Sequence, residues 1–534
     1  MPEMRRTLSA VIASACALAA VDLNQAQPRL YDLLIRNVRV MDGSGNSWVK
    51  AEIGIKDGRI AAIGRLADAQ PTRIIDGGDR LATPGFIDVH SHAAEGLIRG
   101  ALRQGQPILA QGVTTIVANP DGGGPVDLLE QRAELLKDGI GPNVALLIGH
   151  GSVRRAVMGV AERVPTASEL DRMRAIVRTA MQNGAYGLSS GLFYTPGSYA
   201  ATDEVITLAA AAGESGGVYT SHIRDEGNYT IGMVAAVQEV IRVAEEARVI
   251  GVVTHMKALG PDSWGLSAEA TKRIEEARAR GVQVFADQYP YEASSTSLRA
   301  ALLPGVELPP SERLLGKMTP DERRTREAIE RTVRENLRRR GGPDAIQIAF
   351  YRPEPALQGK RLDEIAKARG VTPESAAIEL MGRDNAAIVS FNMSEKDIQH
   401  IMTRPYTMAS SDGGLVLPAD GQPHPRDYGA FARRLSVYVR ERQVVSLEFA
   451  VRSMTSLPAT VFGIKDRGVL REGAAADVAI FDPAAVRDRA TYSDPHRLAE
   501  GMFYVLVNGV VVVDKGVFTK ARPGQVLSFA GTAR

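Results

Sequence analysis

Between residues 85 and 412 the chain repeats one pattern: a short apolar run, a polar or glycine-bearing exit, then a helical stretch. The runs are GFIDVH (85–90), TTIVAN (114–119), VALLIGH (144–150), YGLSSG (186–191), GVYTSH (217–222), GVVTH (251–255), VQVFAD (282–287) and YTMASSD (406–412). Short apolar runs alternating with helical segments such as 233–247 and 268–281 imply parallel strands joined by crossover helices. Eight such units are what a (β/α)8 barrel requires, so the expected fold class is α/β, a TIM-like barrel over residues 83–464. The spacing lengthens between the seventh and eighth runs, where a charged helical insertion is expected at about 305–404.

The two flanks read differently. LLIRNVRV (33–40) and AEIGIKDGRIAAIG (51–64) alternate apolar and polar residues, as do ADVAIFD (476–482) and YVLVNGVVVVDKGVF (504–518). Period-two patterning broken by Gly, Asn and Asp indicates antiparallel β-structure. The expectation is one small β-sandwich built from both chain ends, residues 27–82 and 465–534.

The first 26 residues have the layout of a secretory signal: two arginines within Met1–Arg6, a small apolar run at Leu8–Val21, and a small-residue exit. The run is shorter than the roughly 20 residues a permanent membrane helix needs, and no other segment reaches that length without charges. An exported, periplasmic protein with no membrane span is expected. Cys16 is the one cysteine of the chain, so a disulfide framework and a thiolate-ligated zinc site are both excluded. It follows Ala13-Ser14-Ala15, loosely like a lipoprotein cleavage site without the large aliphatic residue three places upstream, and is expected to leave with the signal. With 64 basic and 62 acidic residues there is no electrostatic footprint for nucleic acid.

In a parallel barrel, functional side chains sit at the C-terminal ends of the strands. His90 and His92 end the first run, His150 the third, His222 the fifth and His255 the sixth. Any one of these read alone is a hydrogen-bonded core histidine; several at matching strand ends form a candidate metal site. The His-x-His spacing turns both rings to one face, and imidazole suits zinc or a similar divalent ion. Asp412, in Ser410-Ser411-Asp412-Gly413-Gly414, ends the eighth run and would face His90 and His92. There it can ligate a metal and take a proton from the attacking water; the alternative is an ordinary Asx turn. His400, His424 and His496 lie in helical or loop context and are assigned to the surface or to supporting positions.

These elements together, GFIDVHSH, HIRDEG, the His255-x-Lys257 pair and Ser411-Asp412-Gly413, resemble the amidohydrolase superfamily. SSGLFYTPGSYA (189–200), SHIRDEGNYT (221–230), THMKALG (254–260), DQYPYEASSTS (287–297), HPRDYGAFARRLSVYVRE (424–441) and the closing DRGVLREGAAADVAIFD (466–482) narrow the resemblance to the N-acyl-D-amino-acid deacylases. It implies hydrolysis of the amide of N-acyl-D-amino acids, with Asp412 as general base and acid, and preference for the D form rests on it alone. It also implies one or two divalent ions, Zn2+ first with Mn2+ or Co2+ acceptable, held by His90, His92, His222, His255 and Asp412. By the same resemblance Lys257 binds the substrate carboxylate, Tyr194, Tyr289 and Ser295 line the pocket, and Arg299 lies near a position that contacts a second carboxylate. The chain departs from the family once. The bridging cysteine expected just after the second strand is absent, and the fourth strand holds no lysine to be carboxylated. Asp121, in Asn119-Pro120-Asp121-Gly122-Gly123-Gly124, stands where the cysteine would, and is the candidate bridge; the alternative is a flexible glycine-rich loop. Competing readings are a dipeptidase or cyclic-amide hydrolase on the same barrel, and an exported metal- or solute-binding protein without catalysis.

Overall fold

The computed structural model describes residues 30–305 and 319–531; the expected signal segment with Cys16, and part of the expected insertion, lie outside the described residues. All eight apolar runs form strands: Phe86–Asp88, Val113–Ala118, Asn143–Leu146 resuming at Ile148–Gly149, Gly187–Gly191, Val218–His222, Gly251–Val253, Val284–Gln288 and Thr407–Ala409. Every neighbouring pair is parallel. Almost every strand residue is buried, as expected where helices cover one face and a core the other. The helix Met233–Ala247 shows how the cover works: Val237, Val240, Ile241 and Ala244, at helical spacing, make its buried stripe.

These strands fall into a three-stranded and a six-stranded sheet, separated only by Leu147 in the interrupted third strand. Tyr186 N donates to Leu146 O at 2.8 Å across that gap. At the other margin Ser91 bridges to Gly413, Asp412 N donates to His90 O at 2.9 Å, and His92 N donates to Gly413 O at 2.8 Å. The first and eighth strand exits are therefore neighbours.

The chain ends share one eight-stranded sheet, joined where Gln70–Pro84 pairs in parallel with Leu30–Val40 and antiparallel with Val478–Phe481. The strands Val49–Lys56 and Arg59–Gly64 are linked through Asp57-Gly58, both at positive φ, the tight two-residue turn that an Asp-Gly pair favours between antiparallel strands.

The insertion differs from expectation. It is mixed rather than helical, and it starts earlier: Ser294–Ser297, Ala387–Ser390 and Ile346–Phe350 form a three-stranded antiparallel sheet. Helices Pro320–Arg339, Leu362–Arg369 and Pro373–Arg383 accompany it over a core of their own that includes Leu298, Val333, Ile348 and Leu362. The strands were hidden because each is only four or five residues long and pairs with a segment far away in sequence.

Candidate metal centre

Four imidazoles and two carboxylates converge at the strand ends. His90 and His92 follow the first strand, His222 is the last residue of the fifth, and His255 lies two residues beyond the sixth. Asp412 Oδ1 is 3.5 Å from His90 Nε2 and 3.2 Å from His92 Nε2. Asp121 Oδ1 is 3.4 Å from His90 Nε2, 3.5 Å from His255 Nε2 and 3.8 Å from His222 Nδ1, and its Oδ2 is 3.4 Å from His92 Nε2. His222 Nδ1 and His255 Nε2 are 2.9 Å apart. Two groups result, His90–His92–Asp121–Asp412 and Asp121–His222–His255, with all donor atoms in each within 4.8 Å of one another. Asp121 belongs to both.

The donor set fits divalent metal ions. His90 Nε2 and Asp121 Oδ1 are buried with no hydrogen-bond partner, and buried polar atoms left unpaired in this way call for a ligand. Imidazole nitrogen and carboxylate oxygen together suit zinc, manganese or cobalt. Burial presses the imidazoles toward neutrality, and for His222 it prevails, to about 4. For His92 burial is outweighed by hydrogen bonds to Asp121 and Asp412, giving about 10. For His255 burial and Lys257 are outweighed by Glu226, Asp412 and Asp121, again to about 10. Burial raises both aspartates, but the facing histidines hold Asp121, and Arg426 with the histidines holds Asp412, well below the usual carboxylate range. A cation binds imidazole in its neutral form, so binding here competes with protons.

The loop carrying Asp121 is not slack. Ser189 Oγ donates to Asn119 O at 2.6 Å, Gly122 N to Ser189 Oγ at 3.2 Å, Ser152 N to Gly122 O at 3.0 Å and Ser152 Oγ to Gly124 O at 2.6 Å. Asn119 and Gln131 exchange two amide hydrogen bonds beneath it. Gly122 is required, because a Cβ there would meet Gly191 N at 2.9 Å and its φ is +72°. Asp121, His255 and Asp412 all have positive φ (55°, 35° and 50°), a strained backbone for residues with side chains and one that clusters at functional sites.

Two further residues hold the candidate ligands, and neither was singled out from the sequence. Glu226, four residues after His222 in HIRDEG, lies 2.9 Å from His255 Nδ1 and ion-pairs with Lys257, whose Nζ is 2.6 Å from the same nitrogen. A carboxylate behind a histidine leaves the other ring nitrogen for the metal. Arg426 Nη1 donates to Asp412 Oδ2 at 2.6 Å, so Oδ1 is the oxygen left facing His90 and His92. Spacing within HIRDEG and HPRDYG offered the only sequence signal for either residue.

A cavity of about 1120 Å³ opens over the site. His92, 42% exposed, opens into it rather than to the outer surface. Tyr194, Lys257, Tyr289 and Ser295 line it. Tyr194 packs on His222 with ring centroids 4.7 Å apart, Lys257 lies over the Tyr289 ring at 5.5 Å, and Ser295 Oγ donates to Ile388 O at 3.0 Å. Arg299 is not among the lining residues: the helix Leu298–Leu302 turns its guanidinium to Met381 O, 3.3 Å away. His150 is also not part of the site, being bonded to Glu204 at 2.9 Å beside Arg154. His424 is not at the surface but buried, bonded to Ala293 O and accepting from Arg426 N.

An α/β fold with paired histidine–carboxylate groups at its strand exits defines a metal-assisted hydrolase, one that activates water with divalent cations. The chain belongs to the amidohydrolase family, whose model matches residues 73–513. It is 36% identical to a D-aminoacylase of Alcaligenes xylosoxydans xylosoxydans, over 95% of this chain and 99% of that protein. It is 36% identical to an N-acyl-D-glutamate deacylase of the same organism, over 93% and 96%. Among solved structures it resembles the N-acyl-D-glutamate deacylase of Bordetella bronchiseptica, complexed with zinc and a phosphonate inhibitor that mimics the tetrahedral intermediate, with TM-score 0.79, 35% identity, and coverage of 94% of this chain and 100% of that one. A D-aminoacylase crystal structure gives TM-score 0.79 and 33% identity, over 93% and 100%. The fold is thereby of the TIM-barrel type.

Proposed function

We propose that this chain hydrolyses the amide bond of N-acyl-D-amino acids, releasing a carboxylic acid and a D-amino acid. The observation that carries the reading is Asp412: a carboxylate at the eighth strand exit, pinned through one oxygen by Arg426 and presenting the other to His90 and His92, at the floor of a cavity that also holds Lys257. The D-aminoacylase and N-acyl-D-glutamate deacylase relatives supply the substrate class.

Zinc, present in the Bordetella relative, fits the donor set. His90, His92, Asp121 and Asp412 would hold one ion, and Asp121, His222 and His255 a second. Such an ion, when bound, supplies a more acidic water and a polarised carbonyl. Asp412 accepts the proton of the attacking water on Oδ1 and returns it to the leaving nitrogen, which is a poor leaving group as an anion. Lys257, Tyr289 and Ser295 receive the substrate carboxylate and orient the scissile amide. Glu226 holds Lys257 in reach of the cavity and backs Nδ1 of His255.

We infer that the two parallel sheets are arcs of one eight-stranded barrel; the hydrogen bonds across Leu146–Tyr186 and His90–Asp412 support closure at both gaps. A sandwich at the chain ends is supported by one core that gathers Ile35, Ile53 and Ile60 with Val478, Ile480 and Leu506. The signal-like residues 1–26 support export to the periplasm, and the N-terminal mass of protein recovered from that compartment tests it.

The direct test of activity is metal content together with amine release from N-acetyl-D- and N-acetyl-L-amino acids. Release from the D series alone, with one to two ions per chain, is the expected result. Cleavage of neither series by metal-loaded protein sinks the deacylase reading.

A further inference from the structure

Four cationic side chains line the cavity: Arg99, Lys257, Arg340 and Arg426. Three already have a carboxylate. Arg99 pairs with Asp420 at 2.7 Å, Lys257 with Glu226, and Arg426 with Asp412 at 2.6 Å. Arg340 ion-pairs with no carboxylate among the described residues, although it is only 2% exposed. Its bonds go to neutral groups. Nε donates to Tyr229 Oη at 2.6 Å, and turning the Asn392 amide so that its oxygen accepts brings Nη1 to 3.1 Å of it while also satisfying Ser390 and Ser294. A buried guanidinium has five donors, and leaving it without a counter-charge is costly unless an anion arrives.

Arg340 lines the same cavity as the candidate metal site, but among the described residues no hydrogen bond or ring contact joins it directly to the histidines there; aromatic rings stand between. Its guanidinium lies 5.7 Å from the Tyr229 ring, Tyr229 packs on Phe193 at 5.4 Å, and Phe193 packs on His222 at 5.9 Å. A chain of two aromatic rings, Tyr229 and Phe193, thus links it to His222. The α-carboxylate of a substrate sits next to the scissile amide, whereas a charge at the end of a side chain reaches further. Arg299, the position that the family resemblance offered for this task, is turned to the Met381 carbonyl.

Resting on the deacylase reading above, we propose that Arg340 receives a second carboxylate of the substrate, so that the preferred substrates are N-acyl-D-amino acids with an acidic side chain. The guanidinium then gains the planar, two-oxygen partner that its fork geometry matches.

The test measures kcat and KM of wild type, Arg340→Met and Arg340→Lys on N-acetyl-D-glutamate, N-acetyl-D-aspartate and N-acetyl-D-leucine. Wild type should favour the acidic pair. Arg340→Met should lose about 100-fold in kcat/KM on the better acidic substrate, mainly through KM, the size expected for a charged hydrogen-bonded partner. Its change on N-acetyl-D-leucine should stay within a few-fold, which also reports that the variant folds. Arg340→Lys should recover part of the loss. Independently of any variant, glutarate should inhibit wild-type turnover of N-acetyl-D-leucine at least tenfold more tightly than butyrate. Equal loss on acidic and neutral substrates, faster wild-type turnover of the neutral one, equal inhibition by the two acids, or an acidic-substrate loss in Arg299→Met with none in Arg340→Met would each overturn the inference. In all of these cases D-substrates are still cleaved, so the deacylase reading stands; if no N-acyl-D-amino acid is cleaved, both fall.

Discussion

Asp121 and Asp412 reach the same histidines from two different strand exits, and the chain holds them by opposite means. The second-strand loop holds Asp121 through its own backbone, clamped by Ser152, Ser189 and the Asn119–Gln131 pair, and among the described residues the carboxylate pairs with histidines and with no guanidinium or ammonium. Both its oxygens face imidazoles, Oδ1 toward His90, His222 and His255 and Oδ2 toward His92. The eighth-strand exit ties one oxygen of Asp412 to Arg426 and supports the turn from behind, where Ser411 N donates to Asp88 Oδ1 at 2.9 Å. A carboxylate with two free oxygens can serve two ions, while one fixed through a single oxygen has one direction in which to move a proton. The two means of support fit the bridging role proposed for Asp121 and the proton-transfer role proposed for Asp412.

The largest expected effect tests the base. Asp412→Asn should keep nearly full metal content and lower kcat by about 10³-fold, within the range usual for removing a general base. Near-wild-type turnover would take the proton-transfer role away from Asp412.

Next comes the bridge. Asp121→Ala should drop the metal stoichiometry after dialysis from two ions to one, while Asp121→Cys, which restores a bridging donor, should hold two. Retention of two ions by the alanine variant would show that the two groups do not depend on a shared ligand.

A smaller effect is expected behind His255. Glu226→Gln should weaken metal affinity about 10- to 100-fold, as removal of a supporting carboxylate commonly does, and raise KM through the freed Lys257. Competition with a chelator reads the first and steady-state kinetics the second.

The smallest effect concerns stability alone. Asp427 accepts from Gly414 N at 3.1 Å, and burial pushes its carboxyl up to about 6. The folded state therefore binds the proton more tightly than the unfolded chain does. The favourable contribution is complete below about 4, the unfolded value, and is lost as pH rises through about 6. Asp427→Asn keeps the acceptor and removes the charge, so it should stabilise the protein by up to about 2 kcal/mol at pH 8 and by little at pH 4, measured by urea unfolding. An unchanged pH profile would sever Asp427 from this behaviour.

The parts of this comparison differed in how plainly the sequence wrote them. His90, His92, His222, His255 and Asp412 were legible because each closes an apolar run, and barrel topology sends every such closure to one face. Asp121 was legible only by counting from the second run, since glycine-rich text describes a clamped loop and a slack one alike. Arg426 and Glu226 were not legible: their partners come from other elements, and pairing across elements has no local period. Arg299 was not placed correctly because the strand Ser294–Ser297 passes straight into the helix Leu298–Leu302, where the guanidinium bonds to Met381 O. The inserted sheet was missed for a related reason, its strands being shorter than any window in which alternation can be told from chance.

The stitching near the end of the chain reaches across the whole fold. Gly524 N bonds to Ile140 O at 2.8 Å, Leu527 N to Val144 O at 2.8 Å and Phe529 N to Gly184 O at 3.0 Å, while the strand Val478–Phe481 lies against Gln70–Pro84. These segments therefore pair with partners several hundred residues upstream in the chain. Closing loops of several hundred residues is slow, and until it happens the third-strand region has an open flank. A chain lacking residues 524–529 would keep every candidate metal ligand but lose the backbone hydrogen bonds to Ile140, Val144 and Gly184 that brace the third- and fourth-strand region.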